Sequence, residues 1–129
     1  MRSRFQENGM GHYKKLLAYQ KAYKLAMDIF IFSRNFPAEE KYSLTSQIRR
    51  SSRSVCCNLG EAYRRRKYQS HFLSKLTDCL SENTETDIWL DFAKDCGYIT
   101  DEQHKIWVNL NNEVGNLLFH MINNPDKYL

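Results

Sequence analysis

Residues 47–67, QIRRSSRSVCCNLGEAYRRRK, decide how the rest of the chain must fold. Ile48, Ser52, Val55, Leu59 and Ala62 recur at spacings of three and four, which predicts a helix with a thin apolar stripe. A polar stripe runs beside it through Gln47, Ser54, Asn58, Glu61 and Arg65. The outer side is basic: Arg49, Arg50, Arg53, Arg64, Arg65, Arg66 and Lys67 face one acid, Glu61, a local charge of +6. Most of such a helix's stability comes from packing its apolar face against other elements, so the remaining chain is expected to cover that stripe.

Working outward, the chain N-terminal to this stretch predicts a first helix over residues 15–35. Ala18, Ala22, Leu25, Ile29, Phe32 and Phe36 share one face, and Tyr19, Tyr23, Ala26 and Phe30 the next. That apolar surface is wider than one neighbour needs. The helix is either central or meets another subunit. Pro37 ends it, because the residue before a proline is pushed out of the helical region. The second helix is expected over residues 44–65, capped by Ser43 or Thr45. Gly60 inside it points to close approach of a neighbouring helix. A basic turn follows at residues 64–68.

The third helix is predicted over residues 69–96. Phe72, Leu73, Leu76, Leu80, Ile88, Leu90 and Ala93 are its apolar positions, and its middle is polar all round. Residues 78–95 carry Asp78, Glu82, Glu85, Asp87, Asp91 and Asp95 against Lys94, a local charge of −5. Gly97 suits a C-terminal helix stop. Thr100 and Gln103 then form a capping box, with Asp101 and Glu102 in the first turn of a fourth helix that runs to residue 123. Its stripe is Ile106 or Trp107, Leu110, Val114, Leu117 and Met121. Four long helices with short connections predict an all-α fold, an antiparallel up-down-up-down four-helix bundle. Residues 1–12 are expected to be a flexible tail and 13–129 the bundle.

Composition narrows the function. At 129 residues with 42% apolar content the chain suits one domain with one core. No apolar run is long enough to cross a bilayer, and the first residues lack a signal-peptide core, so a cytoplasmic protein with no membrane association is expected. Cys56, Cys57, Cys79 and Cys96 read as free thiols filling space. No spacing suggests a metal site; Asp101-x-x-His104 is the one acid-x-x-His pattern and lies at a helix start. No cofactor is expected.

The residues just described resemble a bacterial family of four-helix bundle proteins, the 23S ribosomal RNA intervening-sequence proteins. The resemblance spans residues 13–125. It is carried by YKKLLAYQKAYKLA at 13–26, FPAEEKYSLTSQIRRS at 36–51, and NLGEA at 58–62. FLSKL at 72–76, ETDIWL at 85–90 and DCGYIT at 95–100 continue it. The family pattern N-I-A-E-G becomes Asn58-Leu59-Gly60-Glu61-Ala62 here, with the small residues exchanged. Ser43 stands where the family has a turn glycine. The resemblance implies a homo-oligomer, typically a pentamer with a central channel. It also implies likeness to a retroelement accessory protein that binds nucleic acid and a reverse transcriptase. It supplies no catalytic residue.

Two uses of the basic surface stand open: salt bridges within the bundle or between subunits, and a nucleic-acid face. Guanidinium forks suit phosphate because they donate paired hydrogen bonds. The nucleic-acid-binding set is Arg49, Arg50, Arg53, Arg64, Arg65, Arg66 and Lys67. Gln47, Ser54, Asn58 and Glu61 are expected to meet Glu82 and Glu85 in a buried polar network. The expected function is a non-enzymatic, homo-oligomeric bundle that binds nucleic acid, RNA ahead of DNA, through the basic second helix and the turn after it. The alternative is an assembly module that binds a protein partner and no nucleic acid.

Overall fold

A computed structural model describes residues 12–129; the expected N-terminal tail, save for His12, lies outside the described residues. Four long helices carry the fold: α1 (Leu17–Ser33), α2 (Leu44–Arg64), α3 (Gln69–Asp95) and α4 (Asp101–Asn123). A one-turn helix, His12–Lys15, precedes α1, and 3₁₀ turns occupy Ala38–Glu40 and Pro125–Lys127. No strand occurs among the described residues. The first helix is thus shorter than residues 15–35 at both ends. Leu16 breaks it in an extended conformation (ψ 130°), and Gln20 Nε2 bridges the break by donating to the Lys14 carbonyl.

Each long helix packs on its sequence neighbours, and α1 also packs on α4. Ser51 meets Thr86, Val55 meets Cys79 and Asn58 meets Lys75, so α2 and α3 run in opposite directions. Asp91–His104 and Asn83–Asn111 show the same for α3 and α4. The predicted stripe of α2 is buried throughout: Ile48, Ser52, Val55, Leu59 and Ala62 are at most 3% exposed. Leu59, Phe72, Leu76, Leu118 and Met121 centre one end of the core, and Leu25, Ile29, Ile48, Leu90 and Trp107 the other. Full burial of each large apolar side chain stabilises the fold by about 1.5–3 kcal/mol before entropy is counted.

The local signals at the α3–α4 turn hold. Gly97 has φ 79°, and Tyr98 N–H reaches the Ala93 carbonyl while Gly97 N–H reaches Lys94. That pair of bonds is the Schellman stop. The Thr100–Gln103 capping box closes in both directions, at 3.0 Å each way.

Two local expectations are corrected. Ser43 occupies the cap position of α2, but its backbone (φ −127°, ψ −102°) turns the hydroxyl away from the helix amides. Ser43 Oγ instead donates to Glu40 Oε1 at 2.7 Å, and the same carboxylate oxygen accepts from Leu44 N–H. A carboxylate is the stronger acceptor. Thr45 lies inside the helix and caps nothing. Gly60 does not mark a tight crossing of two long helices either: among the described residues a Cβ there would meet only the Tyr13 ring of the one-turn helix, at an ordinary 3.8 Å. The tight position is Gly115, where a Cβ would sit 3.0 Å from Asn83 Oδ1.

Candidate nucleic-acid interface

The arginines of α2 divide by the neighbour each can reach. Arg50 points toward α3, where Nη1 donates to Glu82 at 3.2 Å and Nη2 to Glu85. Glu85 also accepts from Trp89 Nε1 at 3.1 Å. Trp89 first, then Arg50, hold the Glu85 carboxyl below its ordinary range, and both glutamates raise the pKa of Arg50. About two turns along the seam, Lys75 joins Glu61 at 2.9 Å and Asn58 Oδ1 at 3.3 Å.

This seam replaces the expected buried network. Gln47 and Asn58 are half-buried, while the Glu61 side chain is 53% exposed. Ser54 borders an open depression with Arg53 and Cys57. The charged chains are long enough to reach the edge of the α2–α3 contact and stay wet. The buried positions fall to smaller groups that sequence periodicity did not single out. Thr86 Oγ1 donates to Ser51 Oγ at 2.8 Å, with both residues fully buried. Asn83 and Asn111 exchange hydrogen bonds between α3 and α4.

Toward α1 the arginines meet an aromatic ring and other cations. The guanidiniums of Arg34, Arg49 and Arg53 lie 4.8, 4.9 and 5.1 Å from the centroid of Phe30. Attraction to the ring quadrupole holds three like charges around one anchor. Arg49 Nε donates to Ser33 Oγ at 2.8 Å, and Ser33 in turn donates to the Phe30 carbonyl. Burial, then Arg53 and Arg34, lower the pKa of Arg49, opposite to the shift of Arg50.

Three adjoining open depressions run along this side of α2. The first, about 270 Å³, is lined by Arg34, Lys41, Thr45 and Arg49 with Phe36 and Pro37. The second, about 530 Å³, shares Lys41 and Arg49 and adds Tyr42, Arg50, Arg53 and Cys57. The third, about 390 Å³, shares Cys57 and reaches Tyr13, Tyr19, Gly60, Glu61 and Arg64. The 21 residues of α2 make this trough about 30 Å long at 1.5 Å per residue. Among the described residues, Glu61 is the one acid in its lining.

The cations of the turn after α2 are held largely by contacts of their own. Arg66 stacks on Tyr63 at 3.6 Å and donates to the Tyr63 and Tyr128 carbonyls, which ties the chain's last turn to α2. Lys67 lies over Tyr68, and Arg65 is exposed near Glu61 and Lys75. The expected seven-residue set is therefore not one surface: Arg49, Arg53 and Arg64 line the trough, Arg50 borders it while bonded to α3, and Arg66 is structural. Arg34 and Lys41, outside the expected set, line the trough as well. The spacing of Phe30 and Arg34, four residues apart on the second face of the first helix, was the available signal.

A helical bundle with a basic, aromatic-edged trough on one helix is the class that fold and site define. The 23S rRNA-intervening sequence protein model matches residues 14–120, and the chain belongs to that family. A crystal structure of a protein with unknown function from the S23 ribosomal protein family of Bacteroides thetaiotaomicron is similar, with a TM-score of 0.75 and 28% identity. The match covers 83% of this chain and 96% of that one. No curated protein matches. Among the described residues, no helix is long and apolar enough to cross a membrane.

Proposed function

We propose that this protein is a non-enzymatic, cytoplasmic, homo-oligomeric bundle that binds RNA along the α2 trough. The carrying observation is the run of Arg34, Lys41, Arg49, Arg53 and Arg64 beside Phe30, Tyr42 and Tyr19, with Glu61 the one acid in the lining among the described residues. Phosphates suit the guanidiniums and bases suit the ring faces. RNA is favoured over DNA because the family's name ties it to sequences that interrupt 23S rRNA. Titrating a fluorescent structured RNA at two salt concentrations tests this reading. Five or six phosphate contacts would give a log–log salt slope of about −4 to −5. Absence of binding at low salt would exclude it.

A second reading, assembly without a nucleic-acid ligand, draws on α1. Tyr23, Met27 and Ile31 recur every fourth residue and stay 52%, 39% and 53% exposed. Such a stripe suits a copy of the same chain, in the manner of closed symmetric assemblies. Light scattering checks it: a monomer at micromolar concentration would count against both this reading and the oligomer in the first.

A further inference from the structure

The end of the trough beside the α1–α2 connection differs from the rest. Phe36, Pro37 and Ala38 wall it off, and Arg34, Lys41 and Arg49 converge on it with no acid in the lining among the described residues. Glu40, which adjoins Lys41, already accepts from Ser43, Leu44 N–H and Tyr98. Arg49 is anchored through Nε to Ser33, which leaves its Nη hydrogens for another acceptor.

Thr45 supplies an independent observation. It is 6% exposed, lines this depression, and its Oγ1 is buried with no hydrogen-bond partner among the described residues. Buried hydroxyls ordinarily find a partner, so an orphan needs a reason. A turn of about 120° in χ1 carries the hydroxyl to another staggered position, and threonine in helices populates two such rotamers. Thr45 also sits in the first turn of α2, at the positive end of the 21-residue helix.

We infer that this pocket holds a phosphate monoester, the 5′-phosphate end of an RNA strand lying in the trough, with Thr45 donating to it between Arg34, Lys41 and Arg49. This rests on the RNA reading for the strand, but not for the phosphate. A terminal monoester fits better than a bridging diester for two reasons. It brings up to two negative charges to three cations, and a strand following α2 would end at the walled depression.

The test has two arms. In the first, 5′-phosphorylated and 5′-hydroxyl RNA of one sequence are titrated into the full-length protein, Thr45→Val and Arg34→Ala. The wild type should prefer the phosphorylated strand by about tenfold, with the preference lost in both variants. Arg64→Ala should weaken both strands equally. In the second arm, inorganic phosphate replaces chloride at matched ionic strength during thermal unfolding. Phosphate should raise the Tm of the wild type but not of Thr45→Val. The Tm of that variant without phosphate should be unchanged or higher, since the hydroxyl has no partner to lose. If both RNAs bind equally well, or the preference survives in both variants, the pocket assignment falls and the trough remains. If neither RNA binds but phosphate stabilises only the wild type, the pocket stands and the RNA reading falls. If phosphate also has no effect, both fall.

Discussion

Arg49 and Arg50 are consecutive on α2, about 100° apart around the helix, and the fold uses them in opposite ways. Arg50 is bonded to Glu82 and Glu85 across the α2–α3 seam. Arg49 faces α1, where its neighbours are Phe30, Arg34 and Arg53. A cation already paired within the fold gains little from a phosphate, because it must give up one partner for another. A cation held among like charges gains more. The local +6 of residues 47–67 is therefore a poor guide to binding, and the partner of each arginine is a better one.

The largest effect should come from the side that faces α1. Replacing Arg34, Arg49 and Arg53 together with alanine should flatten the salt slope by about three and weaken RNA binding on the order of a hundredfold at low salt. Anisotropy titration reads both numbers. The same measurement on Arg50→Ala should find the slope nearly unchanged. A loss in that variant as large as in Arg49→Ala would erase the distinction between the two sides.

Stability should sort the arginines in the reverse order. Arg50→Ala removes two ion pairs whose side chains are 22–45% exposed, so solvent screening limits the cost to about 1 kcal/mol. Urea unfolding at neutral pH measures it. Arg53→Ala should fall within about 0.5 kcal/mol of the wild type.

The pH dependence of stability sharpens the same contrast. Glu85 is held below the ordinary 4.5 by Trp89 and Arg50, and Glu61 by Lys75. Depressed carboxyl groups stabilise the fold fully above their unfolded pKa, and that contribution is lost as pH falls through the folded value. Urea midpoints should therefore drop below about pH 4.5, and drop less steeply in Arg50→Ala. Asp87 runs the other way: burial and Asp91 raise its pKa above 3.8, so its protonation on acidification offsets part of the loss.

The smallest effect is a footprint. Cys57 lies in the trough, and Cys96 is exposed beyond the end of α3. RNA should slow alkylation of Cys57 severalfold and leave Cys96 unchanged, as peptide mass mapping would show. Cys56 and Cys79 should resist in either case, since burial pushes both thiols up to about 12.

Much of this molecule was legible residue by residue wherever the signal was local. Gly97, the Thr100–Gln103 box and the α2 stripe depend on neighbours within a few positions, and all three hold. The family resemblance pointed to the helical fold as well. The site was harder. Ser51 and Thr86 look like ordinary polar residues until α2 and α3 are in register, 35 positions apart. Arg50 and Arg49 carry the same side chain, and only the packed neighbours separate them. Gly60 and Gly115 were indistinguishable as letters, yet only Gly115 has Asn83 pressed against it.

The register of α2 against α3 also has a consequence for how the protein folds. Four residues, 65–68, join these helices, and their interface is the most extensive in the bundle. Closing that short loop costs far less chain entropy than bringing α1 to α4, where Lys21 meets Glu113 across 92 positions. The α2–α3 hairpin should form in the folding transition state and the α1–α4 contact afterwards. Thr86→Ser would then slow refolding, whereas Lys21→Ala would chiefly speed unfolding. Stopped-flow chevrons for the two variants would decide the order, and a slower folding limb for Lys21→Ala would reverse it.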